Sequence, residues 1–143
     1  MKRKYFFVVL FLMLVIFLAG CGSEIVTDEV KVKSVIQNYF LAINNQNWSK
    51  AKSYCIYDSE AYYDTCDLED IINTFIDQYT SATLTYFVDI SNVSVIGSYA
   101  SAYYSGSLTI TADPYSESGS ISGYYYLQKV VNTWKIYGYD ETD

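Results

Sequence analysis

The segment ISGYYYLQKVVNTWKIYGYD, residues 121–140, decides the fold because its large apolar side chains follow a period of two. Side chains alternate across a β-strand, so residues of the same parity share one face of a sheet. The segment divides around Asn132 into two strands, residues 121–130 and 134–140, which we expect to form a hairpin. The face predicted to point inward carries Tyr125, Leu127, Trp134 and Ile136.

The period of two extends upstream as far as Thr83. Residues 83–90, TLTYFVDI, predict one strand, and residues 93–110, VSVIGSYASAYYSGSLTI, predict a long strand with bend or bulge points at its two glycines. Residues 112–120, which include the only proline, predict a loop. The inward face of the long strand carries Ala100, Ala102, Tyr104, Leu108 and Ile110. Because two alanines stand there among large residues, we expect a cavity beneath the helices.

Residues 27–79 have helical periodicity instead. Apolar residues recur at helical spacing from Thr27, a predicted N-cap, to Ile43. A short second helix is predicted after Asn47, and a third from Asp67, whose apolar stripe runs to Tyr79. Helices followed by an antiparallel sheet are typical of an α+β domain, so we expect three N-terminal helices packed on a curved antiparallel sheet.

The N-terminal residues have the organisation of a secretory signal, with three basic residues, an apolar run and then small residues. The border Leu18-Ala19-Gly20-Cys21 resembles the lipobox of bacterial lipoproteins. That resemblance implies cleavage before Cys21 and attachment of a diacylglycerol to its thiol. We therefore expect a signal peptide at residues 1–20, a tether at 21–26 and a single domain at 27–143, anchored by lipid at the extracytoplasmic face of the cell membrane. An uncleaved signal anchor is the alternative, and it leaves the domain on the same side.

Charge and composition exclude several classes of function. Beyond residue 20 the chain has six basic and sixteen acidic residues, a net charge of −10. Nucleic-acid binding needs a basic surface, so we predict none, and anionic headgroups repel such a domain, so only the lipid anchor holds it at the membrane. The chain has no histidine, which excludes Ser-His-Asp and Cys-His nucleophile pairs and removes the commonest metal ligand. We predict no cofactor and no metal.

Residues 55–70 contain two cysteines that could form a disulfide and an acidic run that could bind calcium. Cys55 and Cys66 are expected to form a disulfide, because exported thiols that can meet are usually oxidised; two free thiols are the alternative. The acidic run DSEAYYDTCDLED, residues 58–70, has carboxylates spaced as in a calcium loop, but Tyr63 stands where an EF-hand needs glycine. A solvated loop followed by an acidic helix N-terminus explains the run.

Three segments resemble the nuclear transport factor 2-like superfamily, a cone of helices packed against a strongly curved antiparallel sheet. They are VIQNYFLAINNQNWSKAKSYC at 35–55, VSVIGSYASAYY at 93–104 and YYYLQKVVNTWKIYGYD at 124–140. The resemblance implies a pocket inside the cone but no single activity. Some relatives are isomerases or dehydratases that use aspartate with tyrosine or histidine. This chain offers Asp89 and Tyr104, although neither matches a motif position of the family.

Tyrosine is unusually frequent, with 17 copies in 143 residues. By parity, six tyrosines are predicted to face outward from the sheet: Tyr99, Tyr103, Tyr124, Tyr126, Tyr137 and Tyr139. Such a face either stabilises an exposed sheet through cross-strand pairs, pairs with a second copy in a homodimer, or stacks on sugar rings.

The leading hypothesis is a non-enzymatic, lipid-anchored binding or accessory protein with a small apolar or glycan ligand. A small carboxylate–tyrosine enzyme, isomerase-like or hydrolase-like, and a structural dimer that supports an envelope complex are the alternatives.

Overall fold

The computed structural model describes residues 26–79 and 81–142. The predicted signal peptide, Cys21 and most of the predicted tether lie outside the described residues, so the lipid anchor stays a prediction. Within those two ranges, no helix combines the length and the hydrophobicity that a membrane crossing requires.

Three helices precede the sheet: α1 (Asp28–Asn44), α2 (Trp48–Tyr54) and α3 (Glu60–Gln78). The Thr27 hydroxyl accepts a hydrogen bond from the Val30 amide at 3.4 Å, and the Asn47 side chain accepts one from the Lys50 amide at 3.1 Å. Both side chains satisfy amides that an isolated helix would leave without partners. The predicted N-caps of the first two helices are thereby confirmed.

The predicted start of the third helix was wrong. α3 begins at Glu60 with Ser59 as its N-cap, whose hydroxyl accepts a hydrogen bond from the Tyr62 amide at 3.3 Å. Ala61 and Thr65 are buried and continue the packed stripe upstream, whereas Ile71 and Ile76 are exposed. The helix therefore contains Cys66 and most of the acidic run that we had assigned to a solvated loop.

Four strands form one antiparallel sheet in the order β1-β2-β3-β4, with β1 at Ala82–Ile96, β2 at Tyr99–Ala112, β3 at Tyr115–Val130 and β4 at Thr133–Glu141. Two predicted boundaries were wrong. The predicted long strand is divided by a turn at Gly97, whose φ of +61° suits glycine, and the predicted loop at 112–120 is mostly strand, because Asp113 and Pro114 alone form the turn.

Helices cover one face of the sheet, and the apolar side chains between the two layers form a single core. Leu127, Trp134 and Ile136 are buried there, as their parity predicted, and Ala102 is buried in the same core. The Ile56 amide donates a hydrogen bond to the Ile136 carbonyl at 2.7 Å, which fixes the chain between α2 and α3 to β4. The predicted architecture, three helices on an antiparallel sheet in an α+β domain, is confirmed.

Candidate functional site

A cavity of about 290 Å³ lies between the helices and the inner face of the sheet. Its walls come from α1, α3 and all four strands, and they combine aromatic, aliphatic and acidic side chains. The polar and aromatic lining residues are Tyr39, Phe40, Asp64, Asp67, Tyr86, Tyr104, Tyr125, Tyr139 and Glu141. The two alanines that predicted a cavity do not line it. Ala100 and Ala102 are buried in the core instead, and the cavity lies farther along β2, beside Tyr104 and Leu108.

The aromatic wall is a continuous cluster around Tyr125. Its ring centroid lies 5.5 Å from that of Phe40, 5.0 Å from that of Tyr104 and 5.7 Å from that of Tyr139. Tyr86 joins through Phe40, at 5.0 Å. These separations are those of favourable aromatic pairs.

Burial keeps the phenols of the cavity protonated. Desolvation is the main cause that raises the pKa of Tyr86 to about 12, and it also raises the pKa values of Tyr104 and Tyr125 well above their usual range. The pKa of Tyr139 is also raised, first by burial and then by the charges of Asp64 and Glu141. Near neutral pH these hydroxyls are therefore hydrogen-bond donors and acceptors, not phenolates.

One cavity tyrosine has a structural role. Thr65 donates a hydrogen bond to the Ala61 carbonyl at 2.6 Å, so its oxygen accepts from the Tyr39 hydroxyl at 3.0 Å. By contrast, the hydroxyls of Tyr86, Tyr104, Tyr125 and Tyr139 form no hydrogen bond with any described residue. These four hydroxyls remain available to a ligand.

Three carboxylates complete the lining. Asp64 and Asp67 lie on the same side of α3 as Leu68 and Ile71, and Glu141 ends β4. The pKa of Asp64 is raised by burial first, and then by the negative charges of Glu60 and Asp67. No lysine or arginine of the described residues lines the cavity.

The predicted catalytic pair is not brought together. Tyr104 lies on the cavity wall, but Asp89 is exposed and pairs with Ser105 across β1 and β2. Residues paired across strands share a face, so Asp89 lies on the outer face with Ser105 while Tyr104 lies on the inner one. An active site built from Asp89 and Tyr104 is therefore excluded.

The outer face brings together most of the tyrosines predicted for it. Tyr103 and Tyr124 pair directly across β2 and β3 with ring centroids 5.2 Å apart. The rings of Tyr126 and Tyr137 lie 6.2 Å apart, and Tyr99 joins them around a shallow depression. The Tyr126 hydroxyl donates a hydrogen bond to Asp140 at 2.8 Å, so this side chain already has a protein partner.

Tyr139 was assigned to the wrong face. Leu127 pairs with Ile136, whereas the neighbouring Tyr126 pairs with Gly138, so Tyr137 is an extra residue in β4. Such a β-bulge reverses the parity of every residue that follows it. Tyr139 consequently pairs with Tyr125 and lines the cavity instead of the outer face.

The predicted disulfide is absent, because Cys55 and Cys66 are both free thiols. The buried Cys55 sulfur lies 3.5 Å from the Ala61 carbonyl and 3.7 Å from the Thr65 hydroxyl. The earlier start of α3 thus places Thr65, not Cys66, against Cys55. Burial is the main cause that raises the pKa of Cys55 to about 11, so this thiol stays protonated.

The cavity carboxylates were missed because the third helix was started too late. Ala61, Thr65, Leu68 and Ile72 follow one another at helical spacing, which is a sequence signal for the earlier start. That helix places Asp64 and Asp67 next to the packed stripe. Within the described ranges, no group of three histidine, cysteine, aspartate or glutamate side chains is arranged to hold a metal ion.

No protein-family model matches the sequence, and no curated protein matches it. Solved structures do match. An NTF2-like protein with a cystatin-like fold from Novosphingobium aromaticivorans aligns with a TM-score of 0.64 at 12% identity, over 80% of each chain.

Two Streptomyces structures are also similar. A proposed dehydratase of the NTF2-like family from Streptomyces avermitilis gives a TM-score of 0.60 at 11% identity, over 78% of this chain and 92% of its own. ActVI-ORFA from Streptomyces coelicolor gives 0.61 at 13% identity, over 78% and 91%. At such identities the likeness shows the fold alone, which is NTF2-like.

Proposed function

We propose that this protein is a lipid-anchored, extracytoplasmic binding or accessory protein whose cavity holds a small ligand without converting it. The observation that carries the proposal is the cavity with its four uncommitted tyrosine hydroxyls. Ligand pockets are concave, mostly apolar and furnished with a few polar groups that orient the ligand. A volume of about 290 Å³ suits a molecule at the small end of that range.

The location is supported by the lipobox-like border at Leu18–Cys21 and the basic, apolar start of the chain. Two acyl chains on Cys21 would give stable attachment, where a single chain binds only marginally. We expect Cys21→Ser to abolish labelling by radioactive palmitate and to release the protein from the membrane fraction. Cys66→Ser, the matched control, leaves both unchanged. Retention of Cys21→Ser in the membrane would favour an uncleaved signal anchor.

Ligand binding is tested by filling the cavity. Leu108→Trp places a bulky indole ring in the lining of the cavity. Thr109→Trp places the same ring on the outer face of the same strand. In a thermal-shift screen of a small-molecule library, we expect some compounds to raise the Tm of the wild type and of T109W but not of L108W. A library that stabilises none of the three proteins, or all three equally, contradicts binding in the cavity.

An acid–base enzyme is the second candidate, and one observation favours it. Asp64 lies in the cavity with uncommitted tyrosine hydroxyls, and its pKa is raised, as general acid–base catalysis requires. A proposed dehydratase is among the structures of similar fold. Incubation with each compound found in the screen separates the two functions, since an enzyme forms product that Asp64→Asn fails to form. A binding protein returns the compound unchanged.

A further inference from the structure

The cavity is negatively charged, and the described part of the chain supplies no counter-charge. Asp64, Asp67 and Glu141 line it, and none of them forms an ion pair with a described residue. The basic side chains that do form ion pairs contact Asp28 or Glu69 elsewhere on the surface. Asp64 is half-buried, whereas Asp67 and Glu141 are exposed. Three carboxylates without partners around one cavity favour a positively charged occupant.

Aromatic side chains line the same space. Tyr104 is only 3% exposed and Tyr125 only 6% exposed, and both line the cavity with hydroxyls that have no partner among the described residues. The negative charge of the carboxylates acts on Tyr104 and on Tyr139, which also lines the cavity. After burial, Glu141 is the next cause that raises the pKa of Tyr104, and Asp64 is the next for Tyr139. Tyrosine faces next to carboxylates are the surroundings in which proteins recognise organic cations.

We propose that this cavity binds an organic cation, a small alkylated ammonium or amine, with its charge near Asp67 and Glu141 and its alkyl groups against Tyr104 and Tyr125. The inference rests on the proposed binding function and names the ligand class. An anion would meet three like charges. A neutral apolar molecule would displace water from the carboxylates without replacing its hydrogen bonds, which is unfavourable. A cation can make cation–π contacts with the tyrosine rings and is attracted to the carboxylates as well.

The test uses the full-length protein in dodecyl maltoside micelles, whose headgroups carry no ammonium. The probes are tetramethylammonium, choline, benzyltrimethylammonium, and 3,3-dimethylbutan-1-ol, which has the shape of choline but no charge. Binding is measured by saturation-transfer NMR. Choline and its neutral analogue each give one methyl signal from nine equivalent protons, so the two can be compared directly. We expect choline to bind the wild type about tenfold more tightly than the neutral analogue, the size of one good cation–π contact.

Variants separate the ring contribution from the charge contribution. Tyr104→Phe keeps the ring face and retains choline binding, whereas Tyr104→Leu loses about tenfold in affinity. The double variant Asp67→Asn with Glu141→Gln changes charge without changing side-chain size, and we expect it to weaken choline but not the neutral analogue. Asp70→Asn, an exposed residue of the same helix, is the control and leaves choline binding unchanged.

The outcomes distinguish this inference from the proposed function. If none of the three cations binds, or if the neutral analogue binds as tightly as choline, the cationic ligand is refuted. Equal choline affinity in the wild type and in the double variant, which removes two of the three carboxylates, refutes it as well. In each case, library compounds that stabilise the wild type but not L108W would leave the cavity-binding function standing. A screen that also finds none refutes both.

Discussion

At the scale of single residues, Asp28 connects the start of helix α1 to the C-terminal end of strand β3. Its carboxylate lies 2.9 Å from the Lys129 ammonium and 3.1 Å from that of Lys31. The hydrogen bond from Lys129, followed by that from Lys31, lowers the pKa of Asp28 from 3.8 to about 2. Because the pKa is lower in the folded than in the unfolded protein, the resulting stability is present above pH 4 and is lost as the pH falls towards 2.

Lys129→Met tests this pH dependence, since methionine is a long, uncharged side chain that can still pack beside Trp134, over whose ring the Lys129 ammonium lies at 5.5 Å. We expect the free energy of unfolding of the variant to fall below that of the wild type at neutral pH. The difference should shrink between pH 4 and pH 2, where Asp28 becomes protonated. Urea denaturation across that range measures it. Lys33→Met, which removes a lysine without an ion pair among the described residues, serves as the control. A difference that is constant with pH contradicts the ion-pair explanation.

The two cysteines should differ in reactivity. Cys55 is buried and its pKa is raised to about 11, so its thiolate is both rare and inaccessible, whereas Cys66 is partly exposed on α3. We expect iodoacetamide to alkylate Cys66 in the native protein and Cys55 only after denaturation, as read by peptide mass spectrometry. Cys66→Ser should remove the native reaction. If neither cysteine reacts until a reductant is added, they are joined by a disulfide after all.

At the scale of elements, the pairing of β1 with β2 depends on a glycine that lies against the backbone of the neighbouring strand. A Cβ atom at Gly106 would lie 1.9 Å from the Phe87 carbonyl oxygen in β1, whereas a Cβ at Gly119 would meet nothing within 4 Å. The Phe87 oxygen belongs to the backbone and cannot move without separating β1 from β2. Gly106 is therefore required by the close approach of two strands.

We expect Gly106→Ala to lower the free energy of unfolding by about 2 kcal/mol or more, because backbone pairing must be distorted. Gly119→Ala makes the same chemical change in the same sheet and should stay within about 0.5 kcal/mol of the wild type. Chemical denaturation measures both variants. Equal stability of the two variants would show that the β1 backbone can move away from a Cβ at position 106 without lowering the free energy of unfolding.

The sequence predicted elements well where the backbone is regular. Parity placed Leu127, Trp134 and Ile136 in the core, and the side-chain chemistry of Thr27 and Asn47 identified two helix starts. Parity failed after Tyr137, because a bulge adds one residue without a distinctive side chain. The start of α3 was missed because Ala61 and Thr65, two small residues, make a weaker hydrophobic signal than the isoleucines downstream.

At the scale of the whole molecule, the cavity illustrates what one sequence cannot predict. Its existence was expected, but its position was not. The small residues Ala100 and Ala102 are packed in the core, while the space opens beside Tyr104. Its carboxylates come from α3 and from the end of β4, more than seventy residues apart in the chain. Such a combination depends on how helices and strands pack together, which local sequence patterns do not predict.

The outer face leads to the last prediction, that two copies pair through their sheets. Tyr124 is 36% exposed there, beside Tyr103, Tyr126 and Tyr137, so pairing would bury several rings at low cost in side-chain entropy. Electrostatics opposes pairing, because residues 24–143 of each copy carry a net charge of −10. Screening of that repulsion should strengthen a dimer as salt rises, the reverse of an interface held by ion pairs.

Sedimentation equilibrium of the 24–143 fragment at low and at high salt tests this pairing. We expect dimers whose fraction increases with salt and which Tyr124→Ser dissociates. Tyr115→Ser is the matched control, because Tyr115 is 65% exposed on the same strand but pairs with Ala112 on the inner face, beside Tyr79. A wild-type fragment that stays monomeric at high salt would contradict the dimer. The outer tyrosines would then stabilise only the sheet of their own molecule, through the cross-strand pair of Tyr103 and Tyr124. Dimers dissociated equally by both substitutions would place the interface elsewhere.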